Sequence, residues 1–172
     1  MKKLAVLAVF LVAAFPACAF QTGALKLSLW DNLAITAPAH SQDISGLDFG
    51  IGSNTSAVTG LQWDLVWAQT QYELKGASIA FIVSMANQVK GVQTAAFVKA
   101  ADVTGAQLGV VNLGLTINGV QLGFVNQTDY LHGLQFGFVN YAREIEKGLQ
   151  IGILNIAENG WVPVMIIANG RF

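Results

Sequence analysis

One cysteine, three prolines, two histidines and charges on only 11% of residues mark what this 172-residue chain has little of. Each scarcity excludes something. A lone Cys18 can form no internal disulfide, and it rules out a cysteine-based metal site. His40 lies in the polar stretch "APAHSQD" and His132 in a column held elsewhere by Ser, Thr, Lys and Asn, so neither has a partner at metal spacing. Nine basic against ten acidic residues provide no basic stripe, so nucleic acid is not an expected partner. No acid/base constellation recurs on one face, so an enzyme is not expected and no catalytic, cofactor or metal residue is assigned.

Apolar residues, at 53%, and 18 glycines are abundant. With so few charges, that mixture points to faces that never meet water. The chain opens "MKKLAVLAVFLVAAFPACAFQTG", in which two lysines precede a short apolar run and Ala17-Cys18-Ala19 supplies an A-x-A site. Residues 1–19 have the form of a secretory signal peptide, with cleavage before Phe20. A lipidated Cys18 suits the residues Phe15-Pro16-Ala17 poorly. Of the 9 basic residues, Lys2 and Lys3 fall in the leader, which leaves 7 against 10 acidic ones in residues 20–172. That span is expected to be a single β-repeat domain.

Its dominant feature is a repeat of about fourteen residues. Eight lines begin at Ile44, Val58, Leu74, Val89, Val103, Ile117, Leu131 and Ile145, covering residues 44–157. The columns tell more than the rows. Leu47, Leu61, Leu134 and Leu149 share one, Phe49, Trp63, Leu122 and Phe136 the next but one, and Ile51, Leu65, Phe124 and Phe138 a third. None of these three columns carries a charge. Between them stand a polar column (Asp48, Gln62, Ser78, Gln93, Gln107, Gln121, Gln135, Gln150) and a column of small or acidic residues that includes Gly50, Asp64, Gly123 and Gly137. Alternation with period two specifies strands, and a glycine in every repeat would weaken a helix by about 1 kcal/mol each time. The fold class is therefore all-β. "ADVTG", "NQTDY", "YAREIE" and "AENG" are expected to be turns. Segments 24–35 and 161–172 read as flanking strands, which brings the total to about ten.

An apolar sheet face must be covered, and three arrangements compete. A coil of one repeat is disfavoured, because its far wall would set Asp129, Arg143 and Glu158 against a Phe and Leu core. A β-solenoid with two repeats per coil presses two apolar faces together and lets identical Gln and Asn stack in ladders. An antiparallel meander closed into a small membrane β-barrel turns Leu, Phe and Ile to lipid, with Phe172 as a terminal aromatic. The barrel is the expected architecture and the two-repeat solenoid its alternative. On the barrel reading, outer-membrane lipid is the partner, and Trp30, Trp63, Trp67 and Trp161 are candidates for an interfacial belt. Asp48, Asp64, Gln107, Gln121, Gln135 and Gln150 then line a lumen or wet polar face, where the two aspartates are either an acidic constriction or simply solvated.

The run "GAQLGVVN…GVQLGFVN…GLQFGFVN…GLQIGILN" resembles a family of bacterial surface-repeat proteins, whose hallmark is GLQ-apolar-Gly-Leu-apolar-Asn behind a signal peptide. The likeness is clear from Gly105 to Asn155, while earlier repeats depart from it, with Asp48 for Gln and Asp64 for Gly. It implies an exported, envelope-associated protein of unassigned function, with no catalytic residues to carry over. The expected location is the outer membrane or cell surface of a Gram-negative bacterium, with a periplasmic or secreted protein as the alternative.

Overall fold

Period-two alternation produces strands over most of residues 22–31, 33–39 and 41–172, which are the residues described by the computed structural model. The leader with Cys18, and His40, lie outside the described residues. Eleven strands follow in chain order: β1 (Thr22–Trp30), β2 (Leu33–Ala37), β3 (Asp43–Thr55), β4 (Ala57–Ala80), β5 (Val83–Thr94), β6 (Phe97–Leu108), β7 (Val111–Leu113), β8 (Thr116–Leu122), β9 (Val125–Phe136), β10 (Val139–Ala157) and β11 (Val164–Arg171). The all-β expectation holds.

The architecture is a β-solenoid of about 8 turns, not a closed barrel. From β1 and β3 through to β10 every pairing between neighbours is parallel, and antiparallel pairing occurs only at the ends, β2 on β1 and β11 on β10. Gln107 stands beside Gln121, and Gln121 beside Gln135, so successive coils are offset by one repeat. This corrects two expectations. Strands do not meander, and each coil holds one repeat rather than two.

The coil of residues 117–130 shows how so short a circuit closes. It bends at Gly119, whose φ is +147°. A second bend falls where the Val110 carbonyl accepts from the N–H groups of both Phe124 and Val125, and a third where the Leu115 carbonyl accepts from Asp129 and Tyr130. Three short sides result. A Cβ at Gly119 would lie 2.0 Å from the Gly105 carbonyl oxygen, so both the left-handed φ and the spacing between coils demand glycine there.

The core reverses the sidedness expected of a two-repeat solenoid and keeps that of the barrel. Leu134, Phe136 and Phe138 share one face and it points outward, with Phe136 54% exposed. The interior receives from each coil one side chain of the column Ile44, Val58, Leu74, Val89, Val103, Ile117, Leu131 and Ile145, all buried, with Val98 and several alanines beside them. The Gln column and the asparagines Asn112, Asn126, Asn140 and Asn155 are buried with it. The segments read as turns are strand for the most part: "ADVTG" lies in β6, "NQTDY" in β9 and "YAREIE" in β10. Their charged residues point to water, and Thr128 and Ala142 point inward. A one-repeat coil therefore buries no charge from its far wall, which removes the objection to it.

Two outcomes test the one-repeat coil. Gly119→Ala should lower unfolding stability by more than about 2 kcal/mol in urea melts. Deleting residues 117–130, one coil, should leave a shorter chain with the same circular-dichroism spectrum, since solenoid stability is summed over neighbouring repeats. Loss of cooperative unfolding on that deletion would contradict the offset seen here.

Candidate interaction wall

The six residues expected on a wet polar face all lie on one face, and that face is interior. Asp48, Asp64, Gln107, Gln121, Gln135 and Gln150 are each 0% exposed. The solenoid interior is packed, so they line no pore. What lets glutamine replace leucine as a core residue is stacking. The Gln121 side-chain NH2 donates to Gln107 Oε1 at 2.8 Å, Gln135 to Gln121 at 2.7 Å and Gln150 to Gln135 at 2.8 Å. The same NH2 groups also reach a backbone carbonyl six residues on, as Gln135 does at Tyr141 (3.1 Å).

A second ladder, of asparagine, runs beside the first. Asn112 donates to Asn126 Oδ1, Asn126 to Asn140 and Asn140 to Asn155, each at 2.8 Å. Its direction is reversed: glutamine donates to the preceding coil, asparagine to the following one. Two of the orphaned atoms among the described residues fit that polarity. Gln150 Oε1 and Asn112 Oδ1, the terminal acceptors of the two ladders, are buried without hydrogen bonds.

Near the N-terminal end the ladder is replaced by charge. Asp48 Oδ2 accepts from Thr55 Oγ1 at 2.6 Å and from the Gln62 NH2 at 3.4 Å. Lys26, a buried residue of β1 placed beside Asp48, donates to Thr55 Oγ1 at 2.7 Å and to the Asn54 carbonyl. Burial depresses the Lys26 ammonium pKa, against the pull of Asp48, Asp64 and Asp31. Asp64 accepts from Ser53 Oγ at 2.6 Å, and burial pushes its carboxyl up to about 7. Asp48 and Asp64 are thus neither solvated nor part of a constriction. Lys26 had a signal in the sequence, a lone cation in the alternating "ALKLSLW". The asparagine ladder had one too, in the same polar residue at the same place in four successive repeats.

With the amides inside, the apolar columns form a wall that no other described residues cover. Phe49, Trp63, Leu122 and Phe136 lie along its middle, with Phe124 and Phe138 stacked at 4.1 Å on one edge. β1 extends it, since Leu25 pairs with Leu47 and Leu27 with Phe49. The polar residues of those wall segments point inward, apart from Thr94. About nine strands at ~4.8 Å and three outward positions per strand give a projected area of roughly 600 Å². That is at the top of the ~300–600 Å² that the largest apolar patch of an ordinary monomer exposes. Trp30, Trp63 and Trp67 cluster toward its N-terminal end, and Trp161 packs on Phe172 at the other. They form no belt around the molecule.

The other two sides carry the charge. Lys75, Lys90, His132 and Lys147 form a rim, each separated from the wall by one stacked glycine (Gly76, Gly91, Gly133, Gly148). Glu73 meets Lys75 at 2.8 Å and Lys90 at 2.9 Å, and the Lys75 hydrogen bond, then that of Lys90, holds its carboxyl below the usual range. Asp43, Asp102, Asp129, Glu144 and Glu158 lie off the wall as well. His132 is exposed on the rim, and among the described residues no group of three His, Cys, Asp or Glu is placed to hold a metal. No family model, curated protein or solved structure matches the chain.

Two measurements probe the interior. Gln135→Leu should lower stability by about 1–3 kcal/mol, because it strands the Gln121 Oε1 and one N–H of Gln150, whose other N–H keeps the Ile156 carbonyl. For Asp64, the folded pKa is raised from 3.8 to about 7. The cost of burying its charge is therefore absent while it is protonated, and stability should fall as pH rises from about 4 through 7. Asp64→Asn should flatten that fall and raise the urea midpoint at pH 8, by about 2–4 kcal/mol of unfolding free energy.

Proposed function

We propose that this chain is an exported, envelope-associated β-solenoid without a catalytic role, working by adhesion, binding or self-assembly through its apolar wall. The observation that carries this reading is that wall, a continuous apolar strip along the whole array with no covering element among the described residues. Its area is at the upper limit for an ordinary monomer, and the largest apolar patch of a monomer is often functional. The leader-like residues 1–19 and the likeness to bacterial surface-repeat proteins support export to a Gram-negative envelope. A binding role also agrees with the rest of the molecule: the polar groups of the interior serve its own ladders.

Phe136→Asp combined with Phe138→Asp tests the reading. Both side chains point outward, so the double variant should keep its strand spectrum and lose no more than about 1.5 kcal/mol, mainly the Phe124 stacking. It should nonetheless lose retention in the cell-envelope fraction. Thr116→Asp with Gln127→Asp, two exposed positions on the other sides, should leave retention unchanged. Equal retention of the two double variants would refute a role for the wall.

A further inference from the structure

Resting on that reading, we propose that the occupant of the wall is the surface of a bilayer containing anionic lipid, on which the solenoid lies without crossing it. Three observations favour lipid over a second copy or another protein.

The first is hydrogen bonding. A sheet can enter hydrocarbon only if its backbone groups are satisfied. Here each wall strand between β1 and β10 is paired on both edges, because the ladder runs along the solenoid axis. The wall has no free strand edge along its length. The free edges lie at its two ends, on the outer sides of β2 and β11, each of which pairs with one strand only.

The second is the wall's chemistry. Protein interfaces of useful affinity combine an apolar centre with about one hydrogen bond per 100–200 Å². The columns through Leu134, Phe136 and Phe138 offer almost nothing to bond with: Thr94 and the Trp63 indole N–H are their side-chain donors. Such a surface cannot set a register against a partner. Lipid asks for none, and side chains standing on one wall reach about the 5–10 Å depth of interfacial insertion.

The third is charge placement. Lys75, Lys90 and Lys147 stand one glycine outside the wall, at the level of headgroups if the wall is immersed, and Lys99 lies beyond the opposite edge. Most carboxylates are farther away: Asp43, Asp102 and Glu144 share a column one step beyond the rim, and Glu146, the extra residue of its coil, is the one acidic group between that column and Lys147. Glu73 offsets part of the charge of Lys75 and Lys90. Two copies placed wall to wall would find no carboxylate on the facing wall to meet these lysines.

Flotation of the purified chain with vesicles tests this, using phosphatidylcholine mixed with phosphatidylglycerol and phosphatidylcholine alone, beside sedimentation without lipid. The chain should float with the mixed vesicles, less well in high salt, and Phe136→Asp/Phe138→Asp should abolish flotation. Lys75→Gln/Lys90→Gln/Lys147→Gln should weaken binding to the mixed vesicles at least about tenfold, with little effect on phosphatidylcholine alone. Flotation indifferent to the lysine changes overturns the anionic-surface assignment. No flotation, with a dimer that Phe136→Asp/Phe138→Asp dissolves, overturns lipid and leaves the binding wall standing, its occupant a second copy. No flotation and no association in either variant or parent overturns both.

Discussion

A buried carboxamide has two donors and an acceptor to satisfy, and in this protein its twin one coil away satisfies it. That requirement governs the rest. Gln107, Gln121, Gln135 and Gln150 can bond side chain to side chain only if neighbouring repeats are parallel, in register and one strand spacing apart. The asparagine ladder imposes the same condition independently. An antiparallel meander would stack the columns in alternating senses and leave buried amides unpaired, at about 1–3 kcal/mol each. Parallel coiling, the one-repeat offset and the outward turn of the apolar columns are thus consequences of a single bonding pattern.

The interior that results is slender. Each coil places one Ile, Leu or Val, a Gln or its substitute, a small residue, an Asn or its substitute and a Thr, Ala or Gly inside. Glycine is what lets strands come so close at the bend through Gly119, where a methyl group would strike the carbonyl of the coil before. The worn early repeats keep the scheme by other means. Ser53, Ser78 and Ser84 take over ladder positions, with Gln62 donating to Ser53 and Gln93 to Ser84. At the C-terminal side Asn159 imitates one more strand, accepting from the Ile145 N–H at 2.7 Å and donating to its carbonyl at 3.1 Å.

Much of this was legible in the residues themselves. Period two gave the strands, the spacing of Leu131 from Ile117 gave the repeat length though not that one repeat closes a coil, and identical Gln in successive repeats announced stacking. Which face is inside was not legible, because parity separates Phe136 from Gln135 without saying which meets water. Ordinary burial preference points to Phe136, and it fails where polar side chains can bond to copies of themselves. The second and third sides were hidden for a related reason. Asp129, Arg143 and Glu144 look like turn residues until Thr128 and Ala142 are seen to be their inward-facing neighbours. Lys26 was passed over, and Asp48 and Asp64 were singled out without their partners, because a single charged residue in an apolar strand does not show which others stand around it.

The opposite sense of the two ladders has one further effect. Amides aligned head to tail in one column would add their dipoles coil by coil, so that a taller stack would build up charge at its tips. With glutamine pointing back and asparagine pointing forward, the two sums largely cancel at any height. A tandem copy of one repeat could therefore be inserted into such a chain during evolution with little electrostatic penalty, and the length of the array is free to drift.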